Sequence, residues 1–316
     1  MPNIDTPKSI MLCLAFPENP YQEDYDLEEY GRYAYEKARR MAKKLGASIH
    51  ILAIIEEYHY AYDEIEAEFE KKRLERTQEA VQRLQNDLAA DGIEVESTID
   101  DGIAWYEIIK HSVWKDVDWL MLSATRKGVS SDGSVLGSTA RKVVRKSEKP
   151  VWVVHDTPAK PIKSIAMAID FHEISRKIAK IGLQLAEILE ARPKFVHSVD
   201  YSGELAFFRY ADSEKRREKY RHDVREKARE ELRKLAGDKA DATDILISEH
   251  NVTHVLPAMV ENGDADMVVM GSVSRTGIAG FIVGNSAEKL LDRLECSLLV
   301  LKPDEWTSPL EFEKQG

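Results

Sequence analysis

The chain has 316 residues, which fits two domains of roughly 150 residues better than one compact core. Its formal net charge of -11 argues against a broad grip on DNA, RNA or an anionic membrane, so neither direct nucleic-acid binding nor a membrane partner is expected. No apolar run approaches the ~20 residues of a membrane span, the N-terminal stretch shows no export signal, and only Cys13 and Cys296 are present, so the chain reads as a cytoplasmic protein without disulfides.

In chain order, the apolar runs predict strand 9–16, helix 26–45, strand 48–55, helix 63–90, strand 93–99, helix 103–115, strand 118–123, helix 138–147 and strand 150–154. A linker from His155 to Pro161 holds two prolines. Strand 164–169, helix 173–190, strand 194–199, helix 212–236, strand 242–248, helix 254–262, strand 266–270, helix 285–294 and strand 297–301 follow. Strand–helix alternation of this kind makes right-handed βαβ units around a parallel sheet. Runs such as Ile49 to Ile55 suit strands covered on both faces. Tyr220, Val224, Ala228, Leu232 and Leu235 form one packing stripe, and the rest of that helix is a solvated mixture of acids and bases. Residues 56–90 are similarly charged. The tyrosines at 58, 60 and 62 either cap a helix against the core or line a pocket rim.

The order of signals occurs twice. Ile10 in the first opening run corresponds to Ile165 in the second, and Gly137-Ser138-Thr139-Ala140 corresponds to Gly284-Asn285-Ser286-Ala287. This is an internal duplication, with domains expected at 1–157 and 158–316. Runs 151–154 and 297–301 should be edge strands, and mutual antiparallel pairing would cover both. The tail, 304–316, carries Trp306, Leu310 and Phe312. It either folds back over a domain or ends freely.

One constellation can carry chemistry. An apolar strand ends at Gly271, a glycine-bearing loop follows through Ser274, Arg275, Gly277 and Gly284, and a helix begins near Asn285 or Ser286. Glycines let backbone N–H groups approach a phosphate, the helix N-terminus favours an anion, and Arg275 adds charge. Asp170 ends the first strand of the same half, at the same sheet edge. The plainer reading is a tight strand–loop–helix connection, with Asn285 or Ser286 simply capping the helix. The loop is neither a dinucleotide fingerprint nor a Walker loop.

This loop, with the duplicated framework around it and the closing Leu299-Val300-Leu301-Lys302-Pro303-Asp304, resembles the tandem universal stress protein family over nearly the whole chain. The resemblance implies an α/β fold: two doubly wound, Rossmann-like, five-stranded parallel sheets of strand order 3-2-1-4-5, forming a pseudo-dimer, with two chains pairing again as a homodimer. It implies a stress-associated regulatory or protective protein that binds ATP, another adenine nucleotide or another small-molecule ligand. In ATP-binding members adenine lies near the acid after the first strand and against the second strand's backbone, with phosphates on the glycine loop. Carried over, these positions are Asp170, Val196 to Val199, Gly271, Ser274, Gly284, Asn285 and Ser286. Ser274 departs from the second glycine of the motif, and Asn285 replaces its hydroxyl. In the first half Ser123 and Arg126 replace the first two glycines, and Ala15-Phe16 supplies no acid. Gly137 survives, with Ser138 or Thr139 placed to cap the helix.

No enzyme signature is found: no nucleophile elbow, no Cys-x-x-Cys and no metal cluster, and nothing in the sequence identifies whether Mg accompanies a nucleotide. His50 and His197 read as packed strand residues. His59, His111, His172, His222, His250 and His254 lack ligand spacing, with Pro257 separating the last two from a shared helix. Asp170 and His172 read as a turn rather than an acid–base pair. The alternatives to a binding protein are a structural or protein-interaction module with degenerate pockets and a slow ATP hydrolase.

Overall fold

The computed structural model describes residues 6–56, 64–124, 136–155, 161–199, 201, 214–272 and 285–312. The first half runs β1 (Ser9–Leu14), α1 (Glu29–Leu45), β2 (Ser48–Ile55), α2 (Glu64–Ala90), β3 (Val95–Asp101), α3 (Ala104–Trp114), β4 (Trp119–Ser123), α4 (Ser138–Lys146) and β5 (Val151–Val154). The second runs β6 (Ser164–Ala168), α5 (Ile174–Leu189), β7 (Arg192–Ser198), α6 (Glu214–Ala236), β8 (Asp244–Ser248), α7 (Val252–Glu261), β9 (Met267–Gly271), α8 (Asn285–Leu291) and β10 (Ser297–Leu301). The strands form one ten-stranded sheet, ordered β3-β2-β1-β4-β5-β10-β9-β6-β7-β8. Each half therefore has the 3-2-1-4-5 order, and every pairing within a half is parallel. The halves join as expected: β5 and β10 pair antiparallel, with Trp152 opposite Leu299.

Alternation along the strands builds two cores. In β1, Ile10, Leu12 and Leu14 face one core while Met11 and Cys13 face the other. Residues of α1, α2, α5 and α6 fill the first core, and those of α3, α4, α7 and α8 the second. Equivalent helices share a face while strand direction reverses at the seam, so the pseudo-two-fold axis runs perpendicular to the sheet.

Several element limits differ from those expected, three of them for reasons visible locally. The first helix begins at Glu29 because Glu28 is extended, at φ -63 and ψ 164. The third strand starts at Val95 because Ile93 N–H is taken by Leu88 C=O at the end of α2. Asn251 caps α7 through Thr253 N–H at 2.9 Å, and Pro257 lies inside that helix with His254. Pro257 therefore does not break the helix. It removes only the N–H that would have met Thr253 C=O.

A repeated clamp ties each first strand to its fourth. Asp118 Oδ2 accepts hydrogen bonds from Lys8 N (2.7 Å), Ser9 N (3.0 Å) and Ser9 Oγ (3.2 Å). Asp266 Oδ2 does the same for Lys163 N (2.9 Å), Ser164 N (3.1 Å) and Ser164 Oγ (3.1 Å). In both, the serine hydroxyl accepts from the aspartate's own N–H.

The tail folds back over the first half. Ser308 Oγ donates to Lys146 C=O at 2.8 Å, Phe312 meets the Tyr106 ring at 5.3 Å, and Lys302 Nζ donates to Arg145 C=O at 2.8 Å while lying over Trp306. The second half thus supplies amine and hydroxyl donors to the last carbonyls of α4. Burial pushes the Lys302 amine down to about 7 from an ordinary 10.5. Between those values the unfolded chain holds a proton that the native chain has released, so Lys302 makes stability rise with pH across that window. Lys302→Met should flatten the rise in urea-unfolding free energy between pH 7 and pH 10. An equal slope in both proteins would refute this.

Candidate functional site

Parallel strands present ligand clefts beyond their carboxyl ends, at the point where strand order reverses. In the first half β1 and β4 flank that point, and a cavity of about 1100 Å³ opens there. That volume slightly exceeds the usual range for small-molecule sites. Its floor is the end of β1 from Cys13 to Phe16 and the end of β4 from Leu122 to Ala124. The N-terminus of α4, Gly137 to Lys142, forms one wall.

Gly137 is the N-cap of α4, with φ -64 and ψ 160, and no side chain caps the helix. Ser138 and Thr139 therefore do not cap it; they lie inside the first turn, which holds no acidic residue. Residues of that turn line the cavity, and among the described residues no side chain caps their amide groups. Ser123 also lines it, as sequence reading placed it, and Arg126 lies outside the described residues.

Four cations line the cavity, and protein groups set their positions. Arg141 donates to Leu136 C=O at 3.2 Å and approaches Asp292 at 3.6 Å, Arg145 pairs with Glu288, and Lys142 lies over Trp105 at 5.4 Å. Arg73, buried, donates to Glu56 C=O at 3.1 Å. Glu56 in turn caps α3 by accepting from Ala104 N–H at 3.1 Å. Among the described residues the carboxylates on the lining are Glu18, Glu28 and Glu56, so these residues and the four cations carry a net positive charge of one in a chain of net charge -11. Arg73 and Glu56 were missed in the sequence because both fall in a segment read as a solvated charged face. A stretch so rich in like-looking charges gives no signal for the two that turn inward.

In the second half Asp170 follows β6. Its Oδ1 accepts from His172 N–H at 3.1 Å and from Ser175 Oγ at 2.9 Å, while His172 Nε2 stays 3.9 Å from Oδ2. The acid builds the turn that starts α5, as the turn reading expected. Phe171 holds φ 62 there and packs on His197 at 4.4 Å, whose Nδ1 lies 2.8 Å from Ile169 O. Val196 is fully buried with its carbonyl taken by Ile169 N–H, and Val199 N–H is taken by Ser248 C=O. Gly271 ends β9 where a Cβ would come within 3.2 Å of Ile174, so glycine there lets α5 approach. Ser274, Arg275, Gly277 and Gly284 lie outside the described residues, as do the side chains of Asn285 and Ser286 and the tyrosines at 58, 60 and 62.

His50 is a packed strand residue, 2.9 Å from Thr98 Oγ1. Asp100, Glu107 and His111 come together with their ligand atoms all within 4.8 Å, a grouping sequence reading missed. Its available signal was Glu-x-x-x-His, which puts both side chains on one helical face.

Among the described residues no helix is long and apolar enough to cross a membrane. The model of the universal stress protein family matches residues 25–155 and 161–302, one match in each half. The chain is 29% identical over 233 residues to universal stress protein E of Salmonella typhi, covering 66% of this chain and 69% of that protein. It is 30% identical over 191 residues to universal stress protein E of Escherichia coli K12, spanning 57% of that relative's length. A universal stress protein E homolog of Haemophilus influenzae is 24% identical over 296 residues, 86% of this chain and 93% of that protein. Two solved structures share the fold. A functionally unknown protein of Pseudomonas aeruginosa PAO1 has TM-score 0.66 at 20% identity, covering 95% of this chain and 94% of its own. A universal stress protein of Archaeoglobus fulgidus has TM-score 0.62 at 17% identity, covering 93% and 98%. With the family's pattern matched once in each half of a duplicated sheet, the chain belongs to the universal stress protein family as a tandem member.

Proposed function

We propose that the protein serves its family's general stress-associated role by binding an anionic small ligand, of the class of ATP or another adenine nucleotide. Phosphates would sit against a helix N-terminus beyond the carboxyl ends of the strands. The observation that carries this is the first-half cavity, into which the N-terminus of α4 opens with no acidic or side-chain cap among the described residues. A helix N-terminus favours an anion through its amide groups and dipole, and Arg141 and Lys142 add charge on the next turn. The second-half glycine loop, Gly271 to Ser286 with Asp170, belongs to the same reading as a second site. Pairing of two chains as a homodimer also belongs to it, and equilibrium sedimentation decides that part.

Ser138→Glu tests the first site without weakening the fold. A carboxylate in the first turn of α4 favours the helix and repels an anion in the cavity. ATP affinity, read by calorimetry on the dialysed protein, should fall about tenfold (about 1.4 kcal/mol) with the melting temperature held or raised. Asp170→Ala and Gly284→Ala test the second site in the same way. ATP bound equally by all three variants would remove both sites. Absence of binding by the native chain would leave a structural or interaction module.

A further inference from the structure

We propose that charge at the seam decides which half pairs with which, so that the first half's seam surface accepts a second half and rejects another first half. Three ion pairs between described residues cross the seam. Arg145 of α4 pairs with Glu288 of α8, Arg141 of α4 lies 3.6 Å from Asp292 just after α8, and Lys44 of α1 lies 3.7 Å from Glu190 just after α5. In all three the cation belongs to the first half and the carboxylate to the second.

The duplication makes this one-sidedness informative. The match of Gly137 with Gly284 carries Arg141 onto Glu288 and Arg145 onto Asp292. A two-fold interface repeats each contact in reciprocal form, and the two contacts between α4 and the α8 region are reciprocals of each other. Two first halves joined through the same surface would set Arg141 against Arg145 twice, and two second halves would set Glu288 against Asp292 twice. On the other face of the sheet, Gly46 and Glu190 are the left-handed caps of α1 and α5, which carries Lys44 onto Ile188. Lys44 Nζ donates to Ile188 C=O at 2.9 Å, so it meets its own counterpart and would meet a second Lys44 if two first halves joined. Each pair alone adds little attraction, because its charges are partly exposed. Selectivity is a difference between pairings, and like charges facing each other oppose the wrong one. The Asp292 oxygen nearest Arg141 is buried, so a change of sign there is poorly screened.

The test compares three variants of the full chain by urea unfolding. Glu288→Arg with Asp292→Arg gives this contact the charges of two first halves, and Arg141→Glu with Arg145→Glu gives it those of two second halves. Each should lower the urea midpoint. All four changes together restore opposite signs and should recover most of the summed loss, with the recovery shrinking at high salt. Reversal also spoils favourable charges in the last turn of α4 and the first turn of α8, but the fourfold variant keeps that cost, so the recovery measures the cross-seam contact alone. If a two-residue variant fails to fold, a fourfold variant that does fold gives the same result. A fourfold variant no more stable than the summed losses allow, or two-residue variants as stable as the native chain, overturns the proposal.

Discussion

Trp152→Ala should cost about 3–5 kcal/mol in urea unfolding, the range for deleting a large buried aromatic side chain. Trp152 is fully buried in the middle of β5, stands opposite Leu299 across the seam, and meets the Trp119 ring edge-on at 6.2 Å. Its loss opens a cavity where the halves meet, so limited proteolysis should begin to separate them. Trp152→Phe should cost far less. The indole Nε1 is buried without a hydrogen-bond partner, and removing that donor offsets part of the lost packing. Equal losses in the two variants would show that the seam does not depend on the volume of this side chain.

Asp266→Ala should be comparably damaging, at about 3–5 kcal/mol, because it leaves two buried donors of Ser164 and the part-buried N–H of Lys163 without their carboxylate. The same change at its counterpart, Asp118→Ala, should cost about 1–2 kcal/mol. That clamp is made at an exposed residue, where water replaces the lost acceptor. Chemical denaturation of the two variants gives the comparison. The reverse order would mean that burial does not set the strength of the clamp.

These clamps also show where sequence reading stops. The strand runs and the pairing of 151–154 with 297–301 were legible because apolar period and repeat order act over short windows, whereas the order of strands within each sheet came from the family resemblance. The clamps join residues 109 and 102 positions apart, and a lone Asp before Trp119 or Met267 looks like any turn acid. The glycine loop drew attention to the second half, whereas the described cavity lies in the first. It depends on how the ends of β1 and β4 and the start of α4 diverge, which no motif encodes. Ser138 and Thr139 were misread as caps because their residue types favour capping, while Gly137 had already turned into the extended conformation that the N-cap requires. The grouping of Asp100 with Glu107 and His111 escaped because histidines were sought in pairs with one another.

Antiparallel joining of β5 to β10 turns the strands of one half against those of the other. The carboxyl ends of β1 and β4 therefore point to one margin of the sheet, and those of β6 and β9 to the opposite margin. Molecules held at the two margins would not touch, so any cooperativity between them must pass through the shared sheet or through contacts between the halves such as Arg145 with Glu288 and Arg141 with Asp292. Occupancy of one margin would influence the other only by altering the balance between arrangements of those shared elements.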